Sequence, residues 1–138
     1  VNRDHPNSLL ILQCWQAASV GDGETLRAIF SETICWHSTS DTPWQGDYTG
    51  HEAVLEYLGR VGDESGSYDL TLETALADDL YGTVICTVSS ERESRTLNSG
   101  LVLLARFEDR KISEVWTLSL EPRVVQEFWS NPQAQTSE

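Results

Sequence analysis

The sequence predicts an α+β domain in which a curved antiparallel sheet wraps around N-terminal helices as a cone-shaped barrel and encloses an apolar pocket. Helical periodicity is confined to residues before Gly62 and to a short segment after Pro122, whereas residues 68–120 read as consecutive strands. Helices and strands segregated in this way give α+β rather than a parallel doubly wound sheet. At 138 residues the chain has sequence for one core only. Strands joined by short turns make a twisted sheet that curls over its covering helices. Such a sheet leaves a cavity of the kind in which small molecules bind.

The elements follow in order. Pro6-Asn7-Ser8 supplies a turn and cap for a first helix, whose Leu9, Leu10, Leu12, Cys14, Trp15, Ala17 and Ala18 recur at helical spacing. Gly21-Asp22-Gly23 ends it and caps a short second helix with Leu26, Ile29 and Phe30. Thr33 to Ser38 reads as a strand, followed by a polar loop from Thr39 to Tyr48 that contains Pro43 and Trp44. Thr49 and Glu52 form a capping box for a third helix, which carries Val54, Leu55, Leu58 and Val61 on one face and stops near Gly62. Tyr68, Leu70, Leu72, Thr74 and Leu76 alternate with polar residues, the period of a half-buried strand. Three more strands, near 81–89, 96–107 and 112–120, are separated by charged turns. Pro122 opens a short amphipathic helix with Val125, Phe128 and Trp129. The domain is expected to span 1–130, with 131–138 a flexible tail.

Twenty-two acidic against nine basic residues give a formal charge of -13. That field repels phosphates and anionic lipid, which argues against nucleic acid or a membrane as partner. No apolar run approaches the roughly 20 residues needed to span a bilayer. Cys14, Cys35 and Cys86 are widely spaced among apolar residues and read as buried free thiols of a cytoplasmic protein. Phosphate loops, nucleophile elbows and zinc-protease helices have no counterpart in the sequence, so neither a metal nor another cofactor is expected.

The run Val20-Gly21-Asp22, Ala28-Ile29-Phe30, Ile34-Cys35-Trp36-His37 and Tyr48-Thr49-Gly50-His51-Glu52-Ala53-Val54 resembles the nuclear transport factor 2-like superfamily. Arg106-Phe107, Asp109-Arg110-Lys111-Ile112, Glu114-Val115-Trp116 and Glu127-Phe128-Trp129 extend the likeness, which is to the SnoaL-like and ketosteroid-isomerase-related branch. The resemblance implies the cone-shaped fold and commonly a homodimer formed through the sheet face. In ketosteroid isomerases a carboxylate base works opposite a tyrosine and a neutral aspartic acid. The position of the base is His37 here, that of the tyrosine falls on Cys14 or Trp15, and that of the aspartic acid on Leu103. The catalytic aspartates of related cyclases and epoxide hydrolases fall near Thr117 and Leu118. The donors that define those mechanisms are therefore replaced.

His37 is the residue left to move a proton, since an imidazole titrates near working pH. If His37 points into the pocket, Cys35 does too, and Trp36 lies on the opposite face, where a second copy would pack. Cys14, Trp15, Tyr57, Leu101, Leu103, Trp116 and Leu118 are expected as pocket walls, with Trp44 as a lid. The function expected is a cofactor-independent isomerase, cyclase, dehydratase or hydrolase acting on a small apolar organic molecule. The alternatives are a non-catalytic binder of such a molecule and a dimeric interaction domain.

Overall fold

The computed structural model describes residues 5–39, 42–64, 67–92 and 94–129; the tail expected at 131–138 lies outside the described residues. The elements are α1 (Pro6–Val20), α2 (Gly23–Ile29), β1 (Phe30–Ser38), β2 (Gly46–Thr49), α3 (His51–Glu64), β3 (Ser67–Ala77), β4 (Tyr81–Arg92), β5 (Arg95–Glu108), β6 (Lys111–Ser119) and α4 (Pro122–Trp129).

Helix α1 begins earlier than the expected cap. Pro6 takes the first helical position, where its missing N–H is no loss. His5 is the cap, its Nδ1 accepting from the Asn7 N–H at 3.0 Å. Gly21, at φ 73°, ends the helix in the left-handed region that glycine enters without strain. Asp22 then caps α2 by accepting from the N–H of Thr25 at 3.1 Å. Ile11, Cys14 and Ala17 are the apolar residues buried along α1, whereas Leu9 is 67% exposed. Leu9 is two residues from Ile11 and so sits roughly 200° around the helix from it. Helix α3 runs past Gly62 to Glu64.

The six strands form one curved sheet in the order β2-β1-β6-β5-β4-β3. Strands β3 to β6 are the expected antiparallel meander. β1, whose place in the sheet the sequence left open, joins β6 in parallel. The meander leaves β6 with a free edge, and β1 fills it from the other end of the chain. The loop expected at 39–48 holds β2, four residues that pair antiparallel with β1, Cys35 opposite Thr49 and His37 opposite Asp47. No apolar pattern announces β2; the exposed edge of β1 recruits it. β2 and β3 remain the two edges, so the barrel is not closed.

Inward positions alternate along β1 from Ile34 and along β5. Ile34, Trp36 and Ser38 are buried on β1, and Leu97, Ser99, Leu103, Ala105 and Phe107 on β5. The register of β3 shifts between Leu72 and Thr74, which breaks the expected alternation. Leu72 is left 39% exposed, and Ala77 is the residue buried at the far end of the strand.

Two sheet glycines face close neighbours that differ in how far they can move. A Cβ on Gly82 would come within 2.8 Å of the Phe107 ring, which is buried. A Cβ on Gly100 would come within 2.7 Å of Leu120 Cδ1, the tip of a side chain that is 59% exposed. Gly82→Ala is expected to lower the unfolding free energy by about 1–3 kcal/mol, as overpacking against a fixed ring does. Gly100→Ala should cost less, since Leu120 can swing away; urea melts of the two variants check the order.

Candidate functional site

The concave side of the sheet, α1, α3 and α4 enclose a cavity of about 510 Å³. Its wall on β5 is Leu97, Ser99, Leu101 and Leu103, and on β6 it is Thr117 and Ser119. Helix α4 closes one side with Val125, Phe128 and Trp129. Val125 and Phe128 are seated on Leu97 in a small cluster of their own. Arg95 holds the end of α4, its guanidinium donating to the Glu127 carbonyl at 3.1 Å.

Five of the expected wall residues line this cavity: Trp15, Trp44, Tyr57, Leu101 and Leu103. Trp44 meets Trp129 edge to face, with ring centroids 5.8 Å apart, so the loop and α4 close over the cavity together. The Tyr48 hydroxyl holds that loop by donating to the Trp44 carbonyl at 2.7 Å, and its ring stacks on Tyr57 at 4.3 Å.

Cys14, Trp116, Leu118 and His37 are not cavity residues. Cys14 is fully buried between α1 and the core, and burial pushes its thiol up to about 12, where it is inert. On β6 the inward places belong to Thr117 and Ser119, which sends Trp116 and Leu118 to the outer face by strand alternation. On β1 the phase is the reverse of the one assumed for the site. Trp36 and Ser38 point in, so Cys35 and His37 point out. The Trp36 indole is thereby withdrawn from any contact through the outer sheet face, which presents His37, Trp116 and Leu118 instead.

His37 is fixed in a surface clasp. Its Nδ1 lies 2.6 Å from Asp47 on β2 and its Nε2 2.6 Å from Glu114 on β6. The ring stacks on Trp116 with centroids 5.3 Å apart. Burial pulls the imidazole down, but the hydrogen bonds and charges of the two carboxylates outweigh it and raise its pKa above the ordinary histidine value. Both ring nitrogens are engaged away from the cavity, which removes His37 as a general acid or base for anything bound there.

Of the polar groups that the cavity holds, Tyr57, Trp15 and Trp44 were expected as walls or lid and Thr117 as an aligned position, whereas Ser38 and Trp36 were not expected there. Ser38 and Thr117 are direct partners across the β1–β6 pair, and both line the cavity beside Tyr57. Burial pushes the Tyr57 phenol above its usual range, against the pull of the Ser38 and Thr117 hydroxyls, so it stays a neutral donor. The indole Nε1 of Trp44 is buried with no hydrogen-bond partner, whereas those of Trp15 and Trp36 face the Cys86 thiol and the Tyr57 hydroxyl. Among the described lining residues Asp63 alone carries a charge at neutral pH, and it is exposed. Among the described residues no three His, Cys, Asp or Glu side chains gather where they could hold a metal ion, and no helix is long and apolar enough to cross a membrane.

Residues 11–115 match the SnoaL-like domain family. Among curated proteins no match was found. Among solved structures the chain is similar to Bal32a from a soil-derived mobile gene cassette, with 25% identity over 90% of this chain and 96% of that one, TM-score 0.82. It is also similar to a protein of unknown function with a cystatin-like fold from Xanthomonas campestris, with 26% identity over 88% and 96% of the two chains, TM-score 0.78. A nuclear transport factor 2-like protein from Burkholderia xenovorans shares the fold at 18% identity, covering 90% and 95%, TM-score 0.75.

Proposed function

The chain belongs to the SnoaL-like domain family, and from that premise we propose that it is a binding protein for a small, largely apolar molecule bearing acceptor oxygens. The observation that carries this is the buried indole N–H of Trp44, which has no partner and belongs to a residue that lines the cavity. A buried donor left unsatisfied costs about 1–3 kcal/mol, and a ligand oxygen placed against it recovers that energy. The Tyr57 hydroxyl, bonded to Ser38 and Thr117, adds a further polar group in a wall that is mainly aromatic and aliphatic. The cavity volume lies within the range that drug-sized ligands fill. Indole and phenol faces suit a planar ring system, which stacks on them.

Binding rather than turnover fits the same wall. Proton transfer needs a titratable side chain within hydrogen-bond reach of the reacting atom. Asp63, at the exposed margin, is the one such carboxylate among the described lining residues. A chain of formal charge -13 also opposes an anionic ligand, and no basic side chain is among the described lining residues, although Arg60 lies over the Trp44 ring.

Fluorenone and fluorene test this, because they differ by one carbonyl oxygen on the same planar frame. Four of the five tryptophans line the cavity, so intrinsic fluorescence reports occupancy directly. Fluorenone should bind about tenfold more tightly than fluorene, the value of one recovered hydrogen bond. Trp44→Phe, which keeps a ring and removes the N–H, should erase most of that preference. Equal affinity for the two compounds, or no quenching by either, would count against the reading.

A further inference from the structure

The cavity must open somewhere, and its lining shows where. Among the described lining residues those exposed to solvent are Val20, Gly21, Gly59, Gly62 and Asp63. All five sit at the C-terminal ends of α1 and α3. The other described lining residues are buried or half-buried, including those from the loop and α4.

Gly59 and Gly62 are the informative pair. Three residues apart in α3, they share one face of the helix. Glycine within a helix weakens it, because its backbone loses the most freedom on ordering. Neither residue has a positive φ that would call for glycine. Neither faces a close neighbour, since a Cβ built at either position would meet nothing within 4 Å. Gly82 and Gly100, by contrast, have side chains against them. Conformation and packing therefore both allow a side chain at 59 and 62, and open space is what glycine preserves there. Trp36 and Trp44, 2% and 8% exposed, line the same cavity.

We propose that the cavity is entered between the C-terminal ends of α1 and α3, and that Gly59 and Gly62 form the rim that sets the widest ligand admitted. The proposal rests on the reading of the cavity as a binding site and makes these two residues specificity determinants of it. This end of the cavity carries both signs of charge, Asp63 on the rim and the Arg60 guanidinium 5.3 Å from the Trp44 ring.

Acrylamide, a small neutral quencher that needs no recognition, tests the entrance separately from the ligand. In a Trp116→Phe background the remaining tryptophans all line the cavity. Adding Gly59→Leu and Gly62→Leu together should bring the quenching constant below half of the parent value. Gly59→Ala with Gly62→Ala should reduce quenching less and raise Tm by several degrees, because each alanine favours the helix and meets nothing. Unchanged quenching in the folded leucine variant overturns the proposal, and so does a lowered Tm in the alanine variant. If the leucine variant does not fold, the alanine variant decides alone: quenching equal to the parent's overturns the entrance. Fluorenone failing to bind the parent protein counts only against the recognition reading above.

Discussion

Phe30→Ala is expected to lower the unfolding free energy by about 3–5 kcal/mol, the range for emptying a buried aromatic site. Phe30 is 1% exposed and stands at the junction where α2 ends and β1 begins. Its N–H still donates to the Leu26 carbonyl of the helix while its own backbone is already extended. The ring lies edge-on to Trp36, with centroids 6.3 Å apart, and tilted against His51 at 6.4 Å. Removing it leaves a void between a helix end and a strand start, two segments that cannot collapse into it without breaking their own hydrogen bonds. The urea midpoint should fall with an unchanged slope, because the surface exposed on unfolding hardly alters. Leu9→Ala, on the exposed side of α1, should change stability by less than about 0.5 kcal/mol. A loss near that of Leu9→Ala would show that the junction repacks freely. Since Phe30 supports the Trp36 indole, the variant should also bind fluorenone less tightly.

His37→Leu is expected to remove about 1–2 kcal/mol of stability at acidic to neutral pH, the worth of two charge-assisted hydrogen bonds discounted for solvent screening. The discount is needed because Asp47 is 71% exposed, although Glu114 is only 30% exposed. The folded pKa of His37 is raised above its unfolded value of about 6.5, so its contribution is fully present below that pH. It is lost as pH rises through the folded value, when the ring can no longer donate to both carboxylates. The difference in stability between the parent and His37→Leu should therefore be larger near pH 6 than near pH 9. Urea melts at both pH values measure it. A difference that stays constant or grows with pH would mean that the ring is held by stacking on Trp116 and not by charge. Fluorenone affinity should be unaffected, since the clasp lies on the other face of the sheet.

The legible parts of the fold were those with an internal repeat. The apolar spacing of α3 and its Thr49–Glu52 start declare themselves locally, because burial of one face imposes a period on the sequence. Leu103 entered as a wall through the family resemblance and Leu101 by alternation from it; both line the cavity. β1 shows the limit. Alternation says that Trp36 and His37 lie on opposite faces but not which of them is inside. The choice is made by partners distant in the chain: Phe30 and Tyr57 receive the Trp36 ring, while Asp47 and Glu114 hold His37 outside. A reading of Ile34 and Trp36 as the apolar alternants of β1 would have placed Trp36 in the core. Trp116 and Leu118 followed the same error of phase on β6.

By itself the sequence determined an α+β chain with an apolar interior, a short C-terminal helix and a net charge hostile to anions. These follow from composition and local periodicity, which depend on no distant contact. Tertiary structure alone decided that β1 joins β6 in parallel, that a four-residue strand closes that edge, and which face of β1 became the cavity wall. It also gathered Ser38, Tyr57 and Thr117 from three elements into one hydroxyl group and turned His37 into a surface clasp. The physical reason is that a strand's two faces are chemically interchangeable until something packs against one of them.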